Sequence, residues 1–198
     1  MRDAENIREV EALGVDLMGF IFWPKSSRYV SQRPSYLPTT CKRVGVFVNE
    51  DVNQLKCIAE EYALDYIQLH GQESPDYIRT LRVDGGFNAI LIKAFNIAVA
   101  DDLEATKPYE GLVDYFLFDT KAQLPGGSGQ QFDWSVLADY ASETPFLLSG
   151  GIGPDDAARV KAFHHPKCIG IDLNSRFELS PALKDINKLK EFIKIVRI

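Results

Sequence analysis

The chain has 198 residues, 45% of them apolar and 25% charged, which is typical of a globular protein with a sizeable core. Its formal net charge of −6 argues against a nucleic-acid partner or an anionic membrane surface. It has no signal peptide and no apolar run of about 18 residues, and its three cysteines lack paired spacing, so we expect a cytoplasmic protein without disulfides or a zinc site.

Apolar runs alternate with helical patterns along the whole chain. The runs cover residues 17–22, 44–48, 66–69, 89–95, 115–118, 145–148 and 168–173. They are continuous rather than alternating, which predicts parallel strands that are buried on both faces. Helices are predicted over residues 51–63, from Pro154, and from Ser180-Pro181. We therefore predict one domain over residues 1–198, built from seven βα repeats as a barrel or a doubly wound sheet.

A carboxylate ends the fifth predicted strand, at Asp119. The loop that follows contains Gly126, Gly127, Ser128 and Gly129. A carboxylate at a strand end can act as a general acid or base, and glycine-rich backbone ahead of a helix can approach an anion closely. An ordinary strand–loop–helix connection with a capping aspartate explains the same pattern, since glycine loops are weak motifs.

Small and polar residues also end the last two predicted strands. Gly150 and Gly151 follow one of them, and Asn174 and Ser175 follow the other. In a (β/α)₈ barrel the chemistry lies at the carboxyl ends of the strands, and phosphate often binds after strands seven and eight. This pattern favours the barrel over the doubly wound sheet, although tight turns that need glycine explain each strand end separately.

Seven short motifs occur in order along the chain. They are GFIF (19–22), KSSRYV (25–30), VGVFVN (44–49), QLHG (68–71), FD (118–119), GSG with FDW (127–134), and SGGI (149–152). In this order and spacing the chain resembles the phosphoribosylanthranilate isomerases, (β/α)₈ TIM-barrel enzymes of tryptophan biosynthesis, over its full length.

The resemblance implies an Amadori rearrangement of a small phosphosugar substrate, without a cofactor or metal, in a monomer or homodimer. N-(5-phosphoribosyl)anthranilate becomes 1-(2-carboxyphenylamino)-1-deoxyribulose 5-phosphate. Asp119 matches the family's general acid, which must be protonated near neutral pH, and Arg28 matches the residue that binds the anthranilate carboxylate. His70 either faces the substrate or is packed in the protein. The residues implied for the phosphate are Gly127, Ser128, Gly150, Gly151, Asn174 and Ser175.

One difference from the family concerns the general base. The family begins with a strand ending in Cys-Gly, whose cysteine is the base, and residues 1–198 do not include that strand. Cys41 precedes a strand, Cys57 lies in a helix and Cys168 opens the last strand, so none fits the role. We therefore expect a barrel that lacks its first β-strand. Two functions stay open: an isomerase whose sequence starts late, or an impaired phosphosugar-binding or assembly-only protein.

Overall fold

The computed structural model describes residues 1–83, 88–120 and 134–197. Its main feature is a parallel sheet in which seven strands pair in chain order. The strands are β1 (Leu17–Ile21), β2 (Lys42–Phe47), β3 (Tyr66–Leu69), β4 (Ile90–Ile97), β5 (Tyr115–Thr120), β6 (Phe146–Ser149) and β7 (Cys168–Ile171). The prediction of seven parallel strands is confirmed, and all seven carboxyl ends lie at one edge of the sheet.

Helices and 3₁₀ segments connect the strands. The helices are α1 (Ala4–Ala12), α2 (Val52–Tyr62), α3 (Pro75–Val83), α4 (Ala157–Ala162) and α5 (Ile186–Val196), and the 3₁₀ segments are Ala100–Tyr109, Trp134–Asp139, Pro154–Asp156 and Ser175–Phe177. The carboxylates of Asp3, Asp51 and Asp185 accept backbone N–H groups in the first turns of α1, α2 and α5. Across the parts of the chain that the structure describes, no helix is long and apolar enough to cross a membrane.

The two faces of the sheet have separate cores, because successive strand residues point to opposite sides. The outer face packs on the helices through a large cluster that includes Phe20, Phe116 and Leu189. The inner face has a small cluster formed by Val44, Ile92, Ala94, Leu117 and Leu147. No helical residue belongs to this inner cluster as described, which identifies the inside of the curled sheet.

The last helix begins later than predicted. It starts at Ile186 rather than at Ser180-Pro181, because a short antiparallel hairpin, β8 (Glu178–Ser180) and β9 (Leu183–Lys184), precedes it. Ala182 in the turn of the hairpin has φ 67°, a left-handed conformation that a helix cannot contain. The helical pattern in the sequence therefore extended too far toward the N-terminus.

Side-chain contacts connect the segments on either side of β1 to the region that follows β7. They thereby join the first and the last strand of the sheet. The side chain of Asn6 donates to the carbonyl of Lys184 at 3.0 Å and accepts from its N–H at 2.7 Å. At the same edge Arg28 binds Glu178, and at the opposite edge Arg197 binds the carbonyl of Gly14. Strand pairing between β1 and β7 does not occur in the residues described, so these contacts join the ends of the sheet.

A buried carboxylate in α1 stabilises the loop between β1 and β2. Glu11 accepts hydrogen bonds from the hydroxyl of Tyr36 and from the backbone N–H groups of Thr39 and Thr40. Burial alone would raise the pKa of Glu11, but these hydrogen bonds outweigh it and lower the pKa from 4.5 to about 2. The carboxylate therefore stabilises the fold fully above pH 4.5, and this contribution is lost as the pH falls toward 2.

We expect Glu11→Gln to lower the free energy of unfolding at pH 7 by about 1.5–3 kcal/mol, because a charged acceptor is lost. Urea unfolding at several pH values measures this difference, which should shrink as the pH falls from 4.5 toward 2. Glu60→Gln, an exposed position in α2, is the matched control and should have no such effect. A difference that stays constant over this pH range would contradict the assignment.

Candidate active site

Asp119 lies at the carboxyl end of β5, where the strand register brings it beside neighbouring polar residues. It is paired with Asn96 of β4 and Ser149 of β6. It is two residues beyond Leu117, which belongs to the inner cluster, so its side chain faces the inside of the sheet. The side chain is 17% exposed, so it is largely shielded from water but can still be reached by a small molecule.

His70, directly after β3, faces the same carboxylate. Its Nε2 is 3.7 Å from Oδ2 of Asp119. Its Nδ1 is 2.8 Å from the side-chain nitrogen of Gln68, and in this orientation the amide can only donate, so Nδ1 is the acceptor. The tautomer that accepts this bond at Nδ1 has its proton on Nε2, toward Asp119. Of the two open interpretations of His70, the geometry supports a position that faces the site.

Arg28 lies in the loop after β1 and takes part in a cluster of three charged side chains. Its Nε and Nη2 donate to the Glu178 carboxylate at 2.9 and 2.6 Å. Lys184 donates to the same carboxylate at 3.3 Å and to Oδ1 of Asn174 at 2.8 Å. Burial alone would raise the pKa of Glu178, but Arg28 and Lys184 outweigh it and lower the pKa. Two cations share one anion, so the cluster has a net positive charge.

The loops after β6 and β7 are in contact with one another. Gly150 and Gly151 have φ values of 93° and 66°, a region that favours glycine, and a side chain added at Gly151 would project into open space. A Cβ atom at Gly153 would come within 2.8 Å of Cδ of Arg176, which follows β7. Asn174 and Ser175 begin the 3₁₀ turn at this point, and both are exposed. The tight turns that the glycines predicted are thus confirmed.

Two polar pairs near the site were not predicted from the sequence. The hydroxyl of Ser149 donates to the carboxylate of Asp172 at 2.9 Å, at the adjoining ends of β6 and β7. On the outer face, Lys93 of β4 lies 3.3 Å from Glu73, and their side chains are only 3% and 1% exposed. Ser149 and Asp172 could have been identified because each one ends an apolar run in the sequence. Nothing in the sequence indicates that Lys93 pairs with Glu73.

The remaining predicted residues lie elsewhere. Gly127 and Ser128 fall outside the residues that the structure describes. Cys41 directly precedes β2 and Cys168 opens β7, so both are at the opposite edge from Asp119, and burial raises the pKa of the Cys41 thiol to about 11. Cys57 is exposed in α2. In the described ranges no three His, Cys, Asp or Glu side chains are grouped to hold a metal ion.

Comparison with known proteins gives one consistent result. Residues 1–195 match the family described as N-(5'phosphoribosyl)anthranilate (PRA) isomerase. The chain is 52% identical to the N-(5'-phosphoribosyl)anthranilate isomerase of Parabacteroides distasonis, over 98% of this chain and 89% of the relative.

Solved structures agree with this match. The phosphoribosyl anthranilate isomerase of Thermotoga maritima superposes with a TM-score of 0.83 at 31% identity, over 100% of this chain and 95% of that one. A second such isomerase, in complex with reduced 1-(o-carboxyphenylamino)-1-deoxyribulose 5-phosphate, has a TM-score of 0.78 at 28% identity, over 100% and 98%. These similarities confirm the predicted (β/α)₈ barrel class.

Proposed function

The chain belongs to the N-(5'-phosphoribosyl)anthranilate isomerase family, and on that basis we propose how its residues divide the reaction between them. It is an isomerase of tryptophan biosynthesis that converts N-(5-phosphoribosyl)anthranilate to 1-(2-carboxyphenylamino)-1-deoxyribulose 5-phosphate. The observation that carries the proposal is the inward-facing carboxyl group of Asp119 beside His70, at the edge where the carboxyl ends of the strands meet.

Asp119 is the general acid of the ring opening. It protonates the furanose ring oxygen, the bond from that oxygen to C1 breaks, and the anilino nitrogen supplies the electron pair that forms a C1–N Schiff base. Its low exposure and its position on the inner face of β5 support this role. The neighbouring Nε2–H of His70 then stabilises the carboxylate that the proton transfer leaves behind.

Loss of a proton from C2 completes the rearrangement. The electron pair of the C2–H bond forms a C1–C2 double bond and neutralises the Schiff base, and the resulting enolamine becomes the ketone when its hydroxyl proton is lost and C1 is protonated. The resemblance assigns the base to a cysteine. Cys41, Cys57 and Cys168 all lie away from the carboxyl ends of the strands, so we assign none of them to this step.

Arg28 binds the anthranilate carboxylate. Glu178 accepts from Nε and Nη2 on one side of the guanidinium. In the part of the chain that the structure describes, Nη1 has no hydrogen-bond partner, so its two N–H groups are available to a second carboxylate. The net positive charge of Arg28, Glu178 and Lys184 favours that anion.

The loops after β6 and β7 form the phosphate site. Gly150 and Gly151 form a left-handed turn, Gly151 borders open space, and the Arg176 side chain lies against Gly153. Asn174 and Ser175 line the neighbouring loop, and Gly127 and Ser128 are proposed on the resemblance alone. Backbone N–H groups at such turns are good phosphate ligands.

With three scattered thiols and no paired spacing, we infer that the reaction occurs in the cytoplasm.

We expect Arg28→Ala to raise KM about 10- to 150-fold, because it removes a charge-assisted contact worth about 1.5–3 kcal/mol. The assay follows the loss of N-(5-phosphoribosyl)anthranilate fluorescence in parent and variant. Parent turnover of about 1–10³ per second separates an isomerase from the non-catalytic alternative.

Binding of two reduced product analogues, with and without the ring carboxylate, provides the control. Arg28→Ala should weaken binding of the carboxylated analogue and leave the other unchanged, and Arg28→Lys, which keeps the charge but not the planar fork, should be intermediate. Equal losses for both analogues would contradict the assignment of Arg28 to the carboxylate.

A further inference from the structure

We propose that the buried ion pair of Lys93 and Glu73 positions the ring of His70 against Asp119. This inference rests on the proposed function, because it concerns how two residues of the proposed site are held together. Lys93 lies between Ile92 and Ala94 of the inner cluster in β4, so its side chain points to the outer face of the sheet, where it meets Glu73 at 3.3 Å. Both side chains are buried, so the pair acts on the backbone beside His70 as positioning residues rather than on the substrate.

Glu73 binds the backbone N–H of Gly71, the residue that follows His70. Its carboxylate accepts from the N–H of Gly71 at 3.0 Å and from the N–H of Asn49, in the loop after β2, at 2.7 Å. The side chain of Asn49 in turn accepts from the N–H of Gln72 at 2.7 Å. The loop of His70 is thereby attached to the neighbouring loop at two successive backbone positions.

Lys93 holds the carbonyl groups on both sides of His70. Its Nζ donates to the carbonyl of Gly71 at 2.8 Å and to that of Leu69 at 3.3 Å, and it lies 3.3 Å from Oε2 of Glu73. The N–H of His70 itself donates to the carbonyl of Phe47 at 2.8 Å. Every backbone polar group from the Leu69 carbonyl to the Gly71 carbonyl, except the carbonyl of His70, thus has a described partner.

The side chains of Asn49 and Glu73 pack closely against Gly71. A Cβ atom at Gly71 would lie 2.5 Å from Oδ1 of Asn49 and 2.8 Å from Oε1 of Glu73. Asn49 adopts φ 51°, a left-handed conformation that asparagine tolerates better than most residues with a side chain. In this arrangement of the loop, Nε2 of His70 faces Asp119.

Burying an ion pair costs desolvation free energy, and well-packed apolar residues often stabilise a fold equally well or better. A buried pair gives fixed hydrogen-bond directions, which apolar packing does not provide. Here those hydrogen bonds hold the backbone on both sides of His70, whose ring lies 3.7 Å from the carboxylate of the proposed acid. The geometry points to orientation of His70 as the purpose of the pair.

The test compares Glu73→Gln with the control Asp76→Asn, which removes an exposed carboxylate of α3 that pairs with Arg79. Urea unfolding first establishes conditions in which both variants are fully folded. The ¹⁵N resonances of the His70 ring then report its tautomer, with His164 and His165 as internal references. Glu73→Gln should move the His70 resonances toward those of a mixed tautomer and lower kcat by up to about 10²-fold with KM unchanged. Asp76→Asn should do neither.

Gly71→Ala is a second route to the same result, because its Cβ must displace Asn49 or Glu73 without changing any charge. Folded Glu73→Gln and Gly71→Ala proteins with the His70 resonances of the parent would overturn the proposal. Changed resonances with full kcat would support the positioning of the ring and count against the place of His70 in the proposed reaction.

Discussion

Asp119→Asn is expected to lower kcat by about 10²–10⁴-fold with little change in KM, because the amide cannot give a proton to the ring oxygen. Asparagine has nearly the same shape as aspartate and keeps an oxygen toward Nε2 of His70, so the surroundings of the site should persist. The general acid acts mainly in the transition state, and its loss should therefore appear in kcat rather than in substrate affinity.

Three measurements separate this effect from a loss of structure. The fluorescence assay gives kcat and KM, and calorimetric titration with the reduced product analogue gives affinity without turnover. Asp139→Asn, at an exposed position after β5, is the matched control and should keep parental values. Full kcat in Asp119→Asn, or an affinity loss as large as the loss in kcat/KM, would show that Asp119 is not the acid.

Lys93→Met is expected to lower the free energy of unfolding by about 3–5 kcal/mol, because it leaves the carboxylate of Glu73 buried without a countercharge. Burial lowers the pKa of Lys93, and the attraction of Glu73 opposes that shift. The variant also removes the donor to the carbonyl of Gly71. Methionine fills a similar volume, so the loss should reflect the charge and hydrogen bonds rather than a cavity.

Lys42→Met provides the comparison for an exposed pair. Lys42 binds Asp65 at 2.8 Å, but its side chain is 62% exposed, so its loss should cost at most about 1 kcal/mol. Adding Glu73→Gln to Lys93→Met should recover part of the stability, since no unpaired charge then remains buried. Urea unfolding of the four proteins measures these differences. Equal losses in Lys93→Met and Lys42→Met would contradict the prediction.

The parts of the fold that the sequence predicts are those with a local signal. Continuous apolar runs predicted all seven strands, and both faces are buried in central strands such as β4 and β6, although Ile169 of the end strand β7 is 52% exposed. The place of Asp119 and His70 after such runs predicted their position at one edge, and the glycines at 150 and 151 predicted tight turns. In each case the determining residues are close together in the chain.

The parts that were missed depend on partners distant in the chain. Lys93 reads as an interruption of an apolar strand, and only the folded sheet shows that Glu73 neutralises it. The apolar pattern before Ile186 resembled a helix, but Pro181 and Ala182 form the turn of a hairpin. The first strand of that hairpin, β8, is only three residues long, too short to give a strand pattern in the sequence. The carboxylate that holds Arg28 lies 150 residues away, so no local pattern could have identified Glu178.

The contacts that join the two ends of the sheet have a consequence for the order of folding. Arg28 is separated from Glu178 by 150 positions, and Asn6 from Lys184 by 178. Contacts this distant close the largest loops of the chain, and they reward folding only after the intervening βα repeats have formed. During synthesis from the N-terminus, Arg28 emerges early but has no carboxylate to hold it until residue 178 has been added. We therefore expect the helices and strands to accumulate before Glu178 orients Arg28, so that the arginine to which we assign the substrate carboxylate is positioned late in the life of the nascent chain.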